Sequence, residues 1–508
     1  ERRGTMTREQ LFQLKNGTDV RGTAIAGVKD DPVTLTDEAV TLIAKAFYVW
    51  AAKKTGKAQP VIAVGHDSRL SAGHISALVA DAVNACGGDV ILTGLSSTPS
   101  MFMLLQDGFG ADASVMITAS HLPYQKNGLK FFVKEGGLES SDLSEVLEIA
   151  ATGEFPAGSG KREERSYLPK YAGDLVEKVR AATGMEKPLA GKRILVDAGN
   201  GAGGFYADLV LKPLGADTTG SQFLEPDGSF PNHIPNPENE TAMQSVCAAV
   251  KENHADFGII FDTDVDRAGA VSSDGEEINR NRLIALISAI LLEEHPGSYI
   301  VTDSVTSDGL ASFIAAHGGV HHRFKRGYKN VINESKRLNA EGKYSPLAIE
   351  TSGHAALKEN YFLDDGAYLV TRLLIALAKC AKEGKDLMAL IADLPEPREA
   401  SEIRLKFVPG CDFKTLGAGL LKELGEYVEK TPYLSPAPDN FEGVRINFDG
   451  EHGDGWALVR MSLHEPILPI NVESNRTGGN QIIAKELYAF LSGYESFLLT
   501  ENLKNYIK

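Results

Sequence analysis

Short runs of consecutive apolar residues alternate with longer stretches of helical spacing through most of this chain, the pattern of buried strands covered by helices. Ala113-Ser114-Val115-Met116-Ile117 reads as a buried strand, and a second apolar run, Leu129 to Val133, follows soon after Pro123 stops the pattern. Ahead of them lie a helical run from Asp37 to Ala52, a strand Val61 to Val64, a helix from Ala72 to Cys86 and a strand Asp89 to Thr93. Strand–helix–strand alternation with short loops predicts a doubly wound α/β domain. Ala151 to Glu164, rich in Gly, Lys and Glu, reads as a domain boundary. A helix over Tyr167 to Thr183, a strand Arg193 to Asp197 and an apolar run Phe257 to Phe261 follow. A third α/β unit begins near Leu283, with a helix to Glu294, a strand Tyr299 to Thr302 and a helix Ser307 to Ala316. After Pro395-Glu396-Pro397-Arg398 the period changes to two in Ile403-Leu405-Phe407, Val444-Ile446-Phe448 and Ala457-Val459-Met461, which predicts antiparallel strands and a smaller α+β domain.

Polar, reactive side chains stand where two of these runs end. Thr118-Ala119-Ser120-His121-Leu122-Pro123 follows the first strand, with Asn127-Gly128-Leu129-Lys130 behind it, and Asp262-Thr263-Asp264-Val265-Asp266-Arg267 follows Phe257 to Phe261. Ligands of doubly wound sheets bind at such strand ends. The alternating carboxylates of Asp262, Asp264 and Asp266 can converge on one hard cation in an extended or tightly turned loop. An EF-hand would need Gly at the sixth place and Glu at the twelfth, where Arg267 and Ser273 stand. An aspartyl-phosphate phosphatase and a solvated acidic turn stay open from this cluster alone. The glycine-rich turn Ala198 to Gly204 lacks dinucleotide-binding spacing and reads as tight packing. Pro226 to Glu238 reads as a rigid polar loop with a positioning role. Arg323-Phe324-Lys325-Arg326-Gly327-Tyr328-Lys329 is the most basic short run: a solvated loop or a phosphate clamp.

Composition narrows the partners. The chain has 508 residues, 43% hydrophobic and 24% charged, ordinary for a globular protein with more than one core. Its 52 basic and 68 acidic side chains leave a net charge of −16, which argues against nucleic-acid or acidic-membrane partners. Cys86, Cys247, Cys380 and Cys411 show no metal or redox spacing and read as buried free thiols in a reducing compartment. No apolar run reaches membrane-spanning length, and the start at Glu1 lacks a hydrophobic signal region; it reads as trimmed or tagged, with Met6 a candidate natural start. A cytoplasmic location is expected.

Side by side, the Ser120 and Asp262–Arg267 loops resemble those of the alpha-D-phosphohexomutase family, which includes phosphoglucomutase and phosphomannomutase. The resemblance implies three tandem mixed-sheet α/β domains plus a smaller C-terminal α+β domain around a central cleft, with boundaries expected at 1–155, 156–282, 283–398 and 399–508. It implies that Ser120 carries a phosphoryl group and that Ser120, Asp262, Asp264 and Asp266 hold Mg2+, with Arg267 steadying the loop or touching the phosphate. Lys130 and His354 are the implied proton carriers, and His121 orients the serine or its phosphate. Arg21, in Gly17-Thr18-Asp19-Val20-Arg21-Gly22, faces the cleft. Glu350 and Ser352 of Glu350-Thr351-Ser352-Gly353-His354 grip the sugar, and Lys329 lies in the specificity loop.

In the last domain the family pattern is R-x-S-x-T-x-P, and Asn471 to Asn480 is expected to be the loop that matches it. There Val472 stands near the expected Arg, Arg476 is displaced by four, and Ser474, Asn475 and Thr477 match, so Ser474, Asn475, Arg476 and Thr477 are the expected phosphate contacts. Leu122 replaces the Asn of T-A-S-H-N-P. The implied reaction interconverts hexose 1-phosphate and hexose 6-phosphate of glucose and/or mannose through a phosphoserine and a hexose 1,6-bisphosphate, which is also the activator. Glucosamine or N-acetylglucosamine phosphate as substrate, and a non-catalytic sugar-phosphate-binding protein on this scaffold, are the alternatives. Small-molecule sugar phosphates are the expected partners of a monomer or homodimer.

Overall fold

The computed structural model describes residues 6–463 and 465–508; the reading of the first five residues lies outside the described residues, as does His464. The chain groups into two compact units. One runs to Asn279 and adds Ser352–Ala355 and Leu363–Leu387; the other holds Arg280–Thr351, Ala356–Phe362 and Met388–Lys508.

Ile62–His66 lies inside the first sheet, parallel to Val90–Leu95 on one side and to Ala113–Ile117 on the other. Lys126–Val133 then pairs antiparallel with both Ala113–Ile117 and Asp19–Thr23. Ile117 lies opposite Leu129, so the Ser120 loop connects two paired strands. The helix Asp37–Thr55 starts where the Thr36 hydroxyl accepts the Ala39 N–H and ends at Gly56, whose φ of 71° suits glycine. Val40, Ile43, Phe47 and Trp50 bury its inner face, and the Phe47 ring lies 4.5 Å from that of Phe131. Each such side chain contributes about 1.5–3 kcal/mol on burial, which anchors the strand that carries Lys130. The stretch expected to be a boundary, Ala151 to Glu164, contains a short strand of its own. Arg162–Glu164 adds an edge strand parallel to Val90–Leu95, and its charged, exposed side chains suit an edge.

The second sheet runs Glu277–Ile278, Ala268–Ser272, Phe257–Phe261, Ile194–Asp197. Phe261 lies opposite Ala268 in an antiparallel pair, so residues 262–267 are a hairpin connection. The glycine-rich turn packs on that connection. The Ala202 N–H donates to the Thr263 carbonyl at 2.8 Å, and a Cβ on Gly201 would come within 2.6 Å of the same oxygen. The helix Gly366–Lys382 also belongs to this unit, through Tyr171 Oη donating to Asp365 at 2.6 Å and a Tyr206–Thr371 hydroxyl contact of 2.9 Å.

The other unit holds a parallel set, Val320–Arg323, Tyr299–Thr302 and Leu347–Ile349. It also holds an antiparallel sheet ordered Leu434–Pro436, Val444–Phe448, Gly455–Val459, Ile467–Ser474, Glu399–Phe407 and Leu498–Leu499. Leu468, Ile470 and Val472 alternate into a core with Leu420 and Leu424 of the helix Phe413–Lys430. All four cysteines are free; Cys86 and Cys380 are buried, Cys247 and Cys411 half-buried. Among the described residues no helix is long and apolar enough to cross a membrane.

Candidate active site

Ser120 sits in the left-handed region at φ 52°, a strained place for a side chain other than glycine or asparagine. Its N–H donates to Thr118 Oγ1 at 3.0 Å, and the Thr118 hydroxyl donates to Asp67 at 2.6 Å. Arg69, itself buried, clamps the loop from below: one guanidinium nitrogen donates to the carbonyls of Ser120 (2.6 Å) and Leu122 (2.8 Å), the other to those of Pro123 (2.9 Å) and Lys126 (3.0 Å). Neither Asp67 nor Arg69 stood out in the sequence, because a buried Asp and Arg after a strand look there like any polar loop. Arg69→Ala is expected to cost about 3–5 kcal/mol, the price of leaving the Asp67 carboxylate buried without its cation, read by urea denaturation. A loss below about 1 kcal/mol would show that the clamp does not hold the loop.

The Ser120 hydroxyl lies 3.3 Å from Asp262 Oδ2 and 3.3 Å from His121 Nδ1. Asp262, Asp264 and Asp266 are buried, with ligand atoms all within 4.8 Å of one another. Thr98 donates its hydroxyl to Asp264 Oδ2 at 2.5 Å, whereas Asp264 Oδ1 and Asp266 Oδ1 are buried with no hydrogen-bond partner. Acceptor-only atoms left bare this way fit a cation, and the cluster could hold a metal. Burial, and then the Asp264 charge, lift the Asp262 carboxyl to about 6; burial and Asp266 push Asp264 well above its usual range. Burial and the Asp262 charge do the same to Asp266.

Arg267 offsets part of this charge. Its Nε donates to Asp262 at 3.1 Å and its NH2 to His121 Nδ1 at 2.6 Å, so His121 Nδ1 accepts. Burial and the Arg267 charge hold the His121 imidazole down at about 3, a neutral ring. His354 reaches the same place from far along the chain: it pairs with Arg267 in an isolated antiparallel bridge, and its Nδ1 lies 3.9 Å from Asp266. That nitrogen also bonds Asp364, which the sequence did not single out. Lys130 lies 3.7 Å from Asp19, itself 3.5 Å from Arg21. The Lys130 charge is felt at Asp264, His354 and Asp364, which places it beside the cluster. Ser352 joins this unit, its carbonyl accepting from Arg267 at 3.4 Å. The rigid loop expected to position the site touches it: Glu238 lies 3.7 Å from Arg267. With His121, Leu122, Tyr124 and Phe230, Glu238 also lines a 470 Å³ cavity beside the Ser120 loop.

In the other unit Glu350 is buried and accepts the Gly327 N–H at 2.8 Å, which fixes the start of the helix Tyr328–Ala340 that carries Lys329. Of the loop expected over Asn471 to Asn480, only 475–478 is loop: 471–474 are strand and the helix begins at Gly479. Ile467–Ser474 is a strand, and Val472 is fully buried in its core, because Leu468, Ile470 and Val472 alternate inward. The Ser474 hydroxyl is buried and turned to the Gly453 carbonyl at 2.5 Å. Asn475 and Thr477 are exposed, and Arg476 reaches the Glu451 carbonyl at 3.4 Å.

The loop at the other end of that strand is the one with a buried cation. Arg460 donates its N–H to Pro469, and Ser474 lies roughly 16 Å further along at about 3.3 Å per residue. The Arg460 guanidinium is 8% exposed and 3.9 Å from Glu442; its Nε is buried without a hydrogen-bond partner, and burial and the Arg326 charge lower its pKa. Glu442 in turn accepts the Ser304 hydroxyl at 2.6 Å. Arg460-Met461-Ser462-Leu463-His464-Glu465-Pro466 fits R-x-S-x-T-x-P with His464 in place of Thr. That signal was open to a sequence search tolerant of one substitution.

Comparison with known proteins agrees with this geometry. Descriptions of phosphoglucomutase/phosphomannomutase alpha/beta/alpha domains I, II and III match residues 13–157, 169–275 and 279–397. A phosphoglucomutase of Neisseria meningitidis serogroup A is 30% identical over 464 residues, covering 90% of this chain and 94% of that protein. A phosphomannomutase/phosphoglucomutase of Pseudomonas aeruginosa is 29% identical over 452 residues, covering 89% and 90%. The crystal structure of a phosphoglucomutase/phosphomannomutase family protein from Burkholderia thailandensis superposes with a TM-score of 0.78 at 26% identity, covering 96% of this chain and 98% of that one. With three successive domain descriptions matched in order along a fold that brings Ser120 to the Asp262 carboxylate, the chain belongs to the phosphoglucomutase/phosphomannomutase family.

Proposed function

We propose that this protein interconverts hexose 1-phosphate and hexose 6-phosphate of glucose and/or mannose, with Ser120 as the phosphoryl carrier. The observation that carries this reading is the Ser120 hydroxyl 3.3 Å from Asp262, within a buried trio of carboxylates. Asp262, Asp264 and Asp266, with an oxygen of Ser120 or its phosphate, would hold Mg2+, which offsets charge on the transferring phosphoryl oxygens. Phosphorylated Ser120 gives its group to a hydroxyl of the sugar monophosphate: the Ser120 O–P bond breaks, the sugar O–P bond forms, the sugar hydroxyl proton passes to Lys130 or His354, and the freed Ser120 oxygen takes up a proton to become the hydroxyl again. The hexose 1,6-bisphosphate turns over, and Ser120 takes the other phosphate. Arg267 restrains Asp262 and the neutral His121 beside the carrier oxygen. Arg21, Lys329, Glu350 and Ser352 would bind the rest of the ligand, and a cytoplasmic location suits such a substrate.

For the distal phosphate we favour Arg460 and Ser462 over Ser474, Asn475, Arg476 and Thr477. The support is a half-satisfied buried guanidinium at Arg460 against a Ser474 hydroxyl already spent on backbone. Arg460→Gln is expected to raise KM for glucose 1-phosphate roughly 10- to 100-fold, the value of one charge-assisted contact, while Arg476→Gln stays within about 3-fold. The reverse pattern would return the phosphate site to Ser474–Thr477. The proposal as a whole is tested by feeding glucose 1-phosphate, mannose 1-phosphate and glucosamine 1-phosphate with Mg2+ and trace glucose 1,6-bisphosphate. Turnover of the first two is expected. Exclusive turnover of the amino sugar would reassign the substrate, and none on any of the three would overturn the reading.

A further inference from the structure

The His354 ring does not come to the cluster unsupported. Its Nδ1 bonds Asp364 Oδ2, while the second oxygen of that carboxylate accepts the backbone N–H of Ala355 at 3.0 Å. Asp364 therefore ties the ring to the main chain directly after it, and Asp365, the next residue, caps the helix Gly366–Lys382 by accepting the Tyr368 N–H at 3.0 Å. The carboxylate is 11% exposed and rooted at a helix start, so it has little freedom to follow a moving ring.

We infer that Asp364 is a positioning residue for His354, setting the ring angle and the tautomer with the proton on Nδ1, so that Nε2 is the nitrogen with the lone pair. This rests on the proposed mutase reaction, and on His354 rather than Lys130 as the group that exchanges a proton with a sugar hydroxyl. A carboxylate is required because both its oxygens accept. An asparagine has one acceptor: if its oxygen keeps the Ala355 N–H, its NH2 group faces Nδ1, and the ring must carry its proton on Nε2 instead. The change swaps the tautomer at nearly constant volume. Asp266, His354 and Asp364 also have ligand atoms within 4.8 Å of one another, so a metal-ligand role for Asp364 makes a competing forecast.

The test is steady-state kinetics on the full-length wild type, Asp364→Asn, His354→Ala and the double variant, with glucose 1-phosphate and a Mg2+ titration. Asp364→Asn is expected to lower kcat roughly 10- to 100-fold with KM and the Mg2+ half-saturation within about 2-fold. In the His354→Ala background it should add less than about 2-fold, because Asp364 acts through the ring. Three results overturn the inference: kcat of Asp364→Asn within 2-fold of wild type, losses that multiply in the double variant, or kcat restored by excess Mg2+. A wild type without turnover would instead refute the mutase reading, which keeps the two failures apart. Should Asp364→Asn melt well below wild type, Asp364→Glu, which keeps two acceptors, decides: recovery of kcat above the Asn level is expected, and no recovery overturns the inference.

Discussion

Ser120→Ala is expected to leave a folded protein whose turnover of glucose 1-phosphate falls at least roughly 1,000-fold, because the oxygen that carries the phosphoryl group is gone. Little stability should be lost. The hydroxyl makes only 3.3 Å contacts, to Asp262 and His121, while the loop is held by Arg69 through backbone carbonyls the substitution does not touch. Intact mass after incubation with glucose 1,6-bisphosphate gives a second readout: the wild type should gain one phosphoryl group and the variant none. Equal turnover in both proteins would remove Ser120 from the reaction.

The second large effect is at Asp264. Asp264→Asn is expected to lower turnover at least roughly 100-fold and to abolish the rise in Tm that Mg2+ gives the wild type. The amide oxygen can still accept from Thr98, so the loop has no reason to unfold. Thermal melts carry the physical argument further. All three carboxyls are raised in the folded protein, Asp262 to about 6 and Asp264 and Asp266 well above the usual carboxylate range, by burial first and by one another second. Raised carboxyls bind protons on folding, so chelator-treated protein should lose stability as pH climbs from about 4 through 6 and above. A divalent cation cancels that repulsion, and the Mg2+ gain in Tm should grow over the same range. Chelator-treated Asp264→Asn, with one charge fewer, should melt no lower than chelator-treated wild type above pH 7. Mg2+-dependent turnover retained by the variant would contradict the assignment.

Apolar spacing made the elements legible. Ala113–Ile117 and Phe257–Phe261 fall where their largely apolar runs placed them, because a strand buried on both faces admits few polar residues; Ser114 is buried with its hydroxyl donating to the Met101 carbonyl. The exposed edge strand Arg162–Glu164 has no apolar residue and so gave no such signal. Ile467–Ser474 failed differently: Asn471 and Glu473 on its outer face, running into Asn475-Arg476-Thr477-Gly478, resemble a loop, while Leu468, Ile470 and Val472 form the buried face. Reading period two across Pro469 would have recovered the strand and left Arg460 to Pro466 as the loop.

What the chain alone determined, then, was which residue types follow which strands: a hydroxyl and imidazole after one, three acids and an Arg after another. Local pattern is enough for that, since strand burial and turn chemistry depend on neighbours in sequence. Only the folded molecule decided that Ser120 faces Asp262, that Arg69 grips four carbonyls beneath it, and that His354 arrives with Asp364 at Asp266. Those are contacts between residues far apart in the chain, set by strand register and by the seat of the helix Gly366–Lys382. No periodicity within a segment encodes them.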